Sequence, residues 1–123
     1  MDNSLGQSPN NSHGSCVGCV FNHTNSNTGV GIKILNCTNG FIFTGCQIFY
    51  SQTIIDESEG IVFSSCNCGS ANCDITINGG GTVLFSNNIY ADRPGITITE
   101  NNKTHFTNCY TVYKLRSEER FSR

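Results

Sequence analysis

The stretch Gly31-Ile32-Lys33-Ile34-Leu35-Asn36-Cys37-Thr38-Asn39-Gly40-Phe41-Ile42-Phe43-Thr44-Gly45-Cys46 decides how the rest of the chain is read. It holds an alternating Ile-x-Ile run, a polar turn of Asn, Thr and Gly, and an apolar run that ends in Phe43. The same order recurs downstream. Phe43-Thr44-Gly45-Cys46 is followed by Phe63-Ser64-Ser65-Cys66, Phe85-Ser86-Asn87-Asn88 and Phe106-Thr107-Asn108-Cys109, at spacings of 20, 22 and 21 residues. A second column runs about nine residues ahead of each phenylalanine: Ile32-Lys33-Ile34, Thr53-Ile54-Ile55, Ile75-Thr76-Ile77 and Ile96-Thr97-Ile98. Two columns that keep one period independently mark an internal repeat.

Each repeat reads as a short alternating strand, a turn, a strand ending in Phe, a bend, and a shorter segment that returns to the start. So small a unit cannot bury its own apolar face and must stack on its neighbours. Stacking at about 4.8 Å per rung predicts parallel sheets running up a solenoid, with equivalent residues in interior ladders. Ile32, Thr53, Ile75 and Ile96 make one ladder, Ile34, Ile55, Ile77 and Ile98 a second, and the four phenylalanines an aromatic stack. The rungs fall near residues 31–52, 53–73, 74–94 and 95–113, with an incomplete earlier rung around Ser15 to Phe21. The chain therefore divides into a flexible lead-in (1–14), a solenoid (15–113) and a charged tail (114–123) that is either a cap or an arm.

Composition agrees. Asn, Ser, Thr and Gly fill 54 of the 123 positions, charged residues are 13%, Trp is absent and the formal net charge is -2. Too little Leu, Ala, Glu and Lys is present for a helical bundle, and the charge is too small to drive disorder by repulsion. No run has the length of a bilayer-spanning helix, and no basic face marks a nucleic-acid binder. Neither membrane insertion nor a nucleic-acid partner is expected. The polar stretch Met1 to Ser15 lacks the apolar core of a signal peptide, so synthesis in a cytoplasm is the expectation.

Eight cysteines invite disulfide or zinc readings. Cys16-x-x-Cys19, with His13 and His23 nearby, could join Cys66, Cys68 and Cys73, but Cys-x-Cys with a third cysteine five residues on is no standard zinc knuckle. The repeat offers another explanation. Cys46, Cys66 and Cys109 share one column with Asn88 in the missing place, so stacked interior thiols are expected, with Asn88 bonding to backbone. No metal or cofactor is expected. The sequons at Asn10, Asn22, Asn36 and Asn102 are what an Asn-rich chain produces by chance, and Gly79-Gly80-Gly81 reads as a turn.

The run from Gly31 to Cys46, and Gly60-Ile61-Val62-Phe63-Ser64-Ser65-Cys66 after it, resembles right-handed parallel β-helix repeats of the pectate-lyase-like superfamily. It is similar in particular to the β-helix of bacteriophage tailspike proteins, over about residues 16–113. The resemblance implies an all-β, right-handed parallel β-helix of four to five rungs, a side-by-side homotrimer, a place in a virion tail and a bacterial surface polysaccharide as partner. Complete tailspikes have many more rungs, so this chain is similar to a distal piece, and a longer tailspike chain is a further implied partner.

Candidate sites follow from the rungs. Asp56, Glu57 and Glu59 lie on one turn, and Glu100 falls in the column of Glu57 two rungs later, about 10 Å away along the ladder. That is near the upper limit for a pair of catalytic carboxylates in an inverting glycosidase. Asp56, Glu57 and Glu100 are therefore the catalytic candidates under a depolymerase reading, against the simpler reading of solvated turn acids. A lyase would need a base, and Lys33, Arg93 and Lys103 are the basic residues within the rungs. For glycan binding, Tyr50 and Tyr90 occupy similar places in their rungs, while Tyr110 and Tyr113 are also available. The strands Phe41-Ile42-Phe43, Ile61-Val62-Phe63 and Val83-Leu84-Phe85 are apolar on both faces. If the phenylalanines point inward, Ile42, Val62 and Leu84 form an outward column, the expected trimer interface. The function expected first is a non-catalytic, assembling portion of a tailspike that contacts host glycan, with depolymerase activity second.

Overall fold

The structure, a computed structural model, describes residues 14–22, 29–69, 73–91, 94–111 and 120–121. These form strands without any helix. A partial first turn contains β1 (Gly14–Val17) and β2 (Val20–Asn22). Four complete turns follow: β3 (Val30–Leu35), β4 (Phe41–Thr44) and β5 (Gln47–Phe49); β6 (Gln52–Asp56), β7 (Ile61–Ser64) and β8 (Asn67–Cys68); β9 (Ile75–Asn78), β10 (Val83–Ser86) and β11 (Ile89–Tyr90); β12 (Ile96–Thr99), β13 (Thr104–Thr107) and β14 (Cys109–Thr111). A last strand, β15 (Arg120–Phe121), lies in the charged tail and pairs antiparallel with β14.

Like strands stack on like. Sheet A is β12-β9-β6-β3, sheet B is β1-β4-β7-β10-β13, and sheet C is β15-β14-β11-β8-β5-β2. Every pair is parallel except β14–β15, and the repeat of the sequence becomes the register of the sheets. The chain is a parallel β-solenoid.

Alternation sends every second side chain inward. Ile34, Ile55 and Ile77 line sheet A at 0% exposure, while Ile98, on the edge strand β12 of the last turn, is half-buried. Phe43, Phe63, Phe85 and Phe106 stack with ring centroids 4.4, 5.1 and 4.5 Å apart and planes within 8° of parallel. Each ring so buried contributes about 1.5–3 kcal/mol through area removed from water.

The corners explain the polar excess. Between sheets A and B, Asn36, Glu57, Gly79 and Glu100 all take φ between 48° and 59°. Between sheets B and C, Gly18, Gly45, Ser65, Asn87 and Asn108 do the same at 53–66°. A left-handed residue at the end of each strand of sheets A and B turns the chain toward the next sheet, and Gly40, Gly60 and Gly80 add a second in the first three corners between sheets A and B; Gly or Asn adopts this conformation most cheaply. The backbone stays paired through the bend: Asn36 N–H donates to the Asp56 carbonyl at 3.0 Å, and Glu57 N–H to the Asn78 carbonyl at 2.8 Å.

Candidate functional site

The acidic corner between sheets A and B brings the catalytic candidates to one edge. Sheet register puts Asp56 beside Asn78 and Asn78 beside Thr99, so Glu57, Gly79 and Glu100 follow as one column. Glu57 and Glu100 are exposed, while Asp56 is half-buried between Leu35 and Asn78. The Glu57 carboxylate lies over Gly79, where a Cβ would collide with it. The left-handed φ of both glutamates belongs to the corner they share with Asn36 and Gly79, so it signals solenoid geometry and not strain stored for chemistry. Lys33 stands on sheet A in register with Ile54, two positions before the Leu35–Asp56 column, and Lys103 lies three residues beyond Glu100 in the same corner. Arg93 is outside the described residues. The corner is closed by Asn101, whose side-chain amide donates to the Gly79 and Gly81 carbonyls and whose Oδ1 accepts from the Lys103 N–H at 2.8 Å.

The outer face of sheet B carries the apolar column. Ile42, Val62 and Leu84 are in register and point out, flanked by Ser15 and His105. Ile42 is 45% exposed and the other two are half-buried. Beside it runs a column of hydroxyls, Thr44, Ser64, Ser86 and Thr107. The outer face of sheet B is thus apolar along one line over three rungs, ending at His105 in the fourth, and hydroxylated along the next line over all four.

The two tyrosines are not equivalent, which corrects the sequence reading. Tyr90 is in register with Cys68, and Cys68 with Ile48, so Tyr90 belongs to the inward column of sheet C and is 2% exposed. Tyr50 lies two positions further along its rung, at a left-handed bend, and is 47% exposed. A ring sealed in the core cannot stack on an external sugar. Burial, with Cys68 and Cys109 close by, pushes the Tyr90 phenol well above its usual value. The tyrosine on the outer face of sheet C is Tyr110, in a column with Ile89, Asn67, Gln47 and Val20. Tyr113 is outside the described residues.

All eight cysteines are thiols. Cys46, Cys66, Asn88 and Cys109 occupy one corner column, and Cys19 heads it, a member the lengthened first repeat hides in the sequence. Each polar head donates to the residue of the phenylalanine column one rung back. Cys46 reaches the Cys16 carbonyl at 3.5 Å, Cys66 the Phe43 carbonyl at 3.6 Å, Asn88 the Phe63 carbonyl at 3.1 Å and Cys109 the Phe85 carbonyl at 3.5 Å. Asn88 also accepts the Cys66 N–H at 2.8 Å, so it bonds to backbone at both ends of its amide. Burial pushes the thiols of Cys66 and Cys109 up, and a hydrogen bond with Cys73 together with burial pushes Cys68 well up. Among the described residues no three His, Cys, Asp or Glu side chains are placed to hold a metal ion; His13 and His23 lie outside them. Nor is any helix of the described residues long and apolar enough to cross a membrane.

Comparison of the chain with protein-family models, curated proteins and solved structures found no match.

Proposed function

We propose that this chain is an assembly and adhesion module, a short β-solenoid that packs side by side with two further copies and contacts a surface polysaccharide. The distal part of a phage tailspike, joined to a longer tailspike chain, is the setting this reading favours. The observation that carries it is the in-register outward column Ile42–Val62–Leu84 on sheet B. An outward apolar line is a liability for a lone chain, and the hydroxyl column beside it can hydrogen-bond across a subunit boundary. Solvent-facing Asn, Ser and Thr on the other faces suit carbohydrate hydroxyls, and Tyr50 and Tyr110 add exposed rings.

The test pairs assembly with binding. Leu84→Asp is expected to shift sedimentation from three chains to one while far-UV circular dichroism stays β-like. The unaltered chain is expected to co-sediment with bacterial capsule or O-antigen polysaccharide and to release no reducing ends. A chain that sediments alone before and after the substitution, or that binds none of these polymers, refutes the reading.

Depolymerase activity is the second reading, favoured by the shared column of Glu57 and Glu100. It expects reducing-end release that Glu57→Gln and Glu100→Gln each abolish. Asp56, half-buried in the sheet, would position the pair.

A further inference from the structure

Cys16 and Cys19 lie in the first of the described turns of the solenoid. Cys16 takes the place of a phenylalanine in sheet B, in register with Phe43, and Cys19 heads the corner column above Cys46. Between them the chain bends through Gly18 at φ 66°. Both thiols are only half-buried, whereas the other six cysteines are at most 4% exposed. Among the described residues sheet A begins at β3, with no strand of the first turn beside it, and there a cavity of about 150 Å³ opens, walled by Cys16, Phe21, Ile32, Ile34, Phe41 and Phe43. A small reagent can therefore reach Cys16 from inside the solenoid's mouth.

Three pairs of thiols are neighbours: Cys16 and Cys19 flank the bend at Gly18, Cys46 and Cys66 follow one another up the corner column, and Cys68 and Cys73 lie together in the core. They differ in what a disulfide would demand. Cys16 and Cys19 stand three residues apart on either side of the left-handed bend at Gly18, so a bond between them asks for local adjustment of one exposed corner only. Cys46 and Cys66 are ladder neighbours with parallel side chains, the wrong direction for a disulfide torsion, and Cys68 and Cys73 are sealed in the core.

We propose that Cys16 and Cys19 are a redox modification site, converted by a disulfide oxidant such as glutathione disulfide into an intrachain bond. The Cys19 thiolate attacks one sulfur of the oxidant, forming a mixed disulfide and expelling one glutathione thiolate. The Cys16 thiolate then attacks the Cys19 sulfur and expels the second. Two thiol protons end on the two glutathione molecules released, and two electrons pass from the protein to the oxidant. The product ties β1 to β2 across the Gly18 corner of the first turn. Burial, and Cys19 beside it, push the Cys16 thiol up, so the second step quickens as pH rises.

The experiment treats the reduced full chain with glutathione disulfide, quenches it with a maleimide and maps the peptides by mass. The expected product lacks two hydrogens in the peptide holding Cys16 and Cys19, while the other six thiols take up maleimide only after unfolding. In Cys16→Ser, a glutathione adduct is expected to persist on Cys19. A Cys68–Cys73 or Cys46–Cys66 bond formed first overturns the proposal. So does complete alkylation of both Cys16 and Cys19 in the treated chain, or a Cys19–Cys46 bond in Cys16→Ser.

Discussion

Replacing Asn88 by alanine takes the one amide out of a column of thiols. Asn88 is fully buried, accepts the Cys66 N–H at 2.8 Å and donates to the Phe63 carbonyl at 3.1 Å. Alanine deprives both of these backbone groups of those bonds in a space water does not reach. A buried group stripped of its partner costs about 1–3 kcal/mol, so the two together cost about 2–6 kcal/mol, and the cavity adds to it. That is a large share of the ~5–15 kcal/mol that holds a typical domain together. Cys66→Ala removes only sulfur contacts at 3.6 Å and a smaller volume, and should cost about 1–2 kcal/mol. Asn88→Cys keeps a donor for the Phe63 carbonyl, as Cys66 and Cys109 do in their rungs, and loses the acceptor, so it falls between. The assay is urea unfolding under reducing conditions, followed by circular dichroism, with the slope compared among variants. An Asn88→Ala chain within about 0.5 kcal/mol of the parent, or less damaged than Cys66→Ala, would refute the reasoning.

Two further predictions rest on the corners and on the buried thiols. Gly79→Ala meets the Glu57 carboxylate and a left-handed φ, so it should destabilise by about 1 kcal/mol or more, and pairing it with Glu57→Ala should recover part of the loss in the same urea titration. Burial raises the Cys66 and Cys109 thiols and the Tyr90 phenol, and the Cys73 contact with burial raises Cys68. Because each folded pKa lies above its unfolded value, the folded chain holds these protons more tightly. That stability is complete below about pH 8.5 and is lost as pH rises through the folded values. The urea midpoint should be level between about pH 6 and 8 and fall above about pH 9; a midpoint that climbs there contradicts the burial of these groups.

The columns of sheets A and B were legible because their residues repeat in kind: Ile-x-Ile and a terminal Phe at nearly constant spacing carry both period and facing. The same holds for the Cys46, Cys66, Asn88 and Cys109 column. Sheet C was legible only as a short returning segment. Its strands β8 and β11 are two residues long, and the inward series Phe21, Ile48, Cys68, Tyr90 and Thr111 shares no chemistry that a pattern could reveal. That is why Tyr50 and Tyr90 looked equivalent: Tyr50 follows Phe43 by seven residues and Tyr90 follows Phe85 by five, a difference that reads as variation in turn length until the ladder pairs Tyr90 with Cys68. Cys19 was missed because its rung runs 27 residues from Cys16 to Phe43, where the later spacings are 20–22. Nor does anything in Arg120-Phe121 announce an antiparallel strand on a parallel sheet. At the acidic corner, the shared column of Glu57 and Glu100 was readable from the period, but the glycine between them and the carboxylate lying over it required the packed backbone.

The central claim is that sheet B's outward apolar column is a surface for further copies of the same chain. Sedimentation equilibrium of the reduced, full-length protein at micromolar concentration tests it most directly. The account predicts a single species at three times the 13.4 kDa chain mass. A species at the mass of one chain, unchanged as concentration rises, would contradict it.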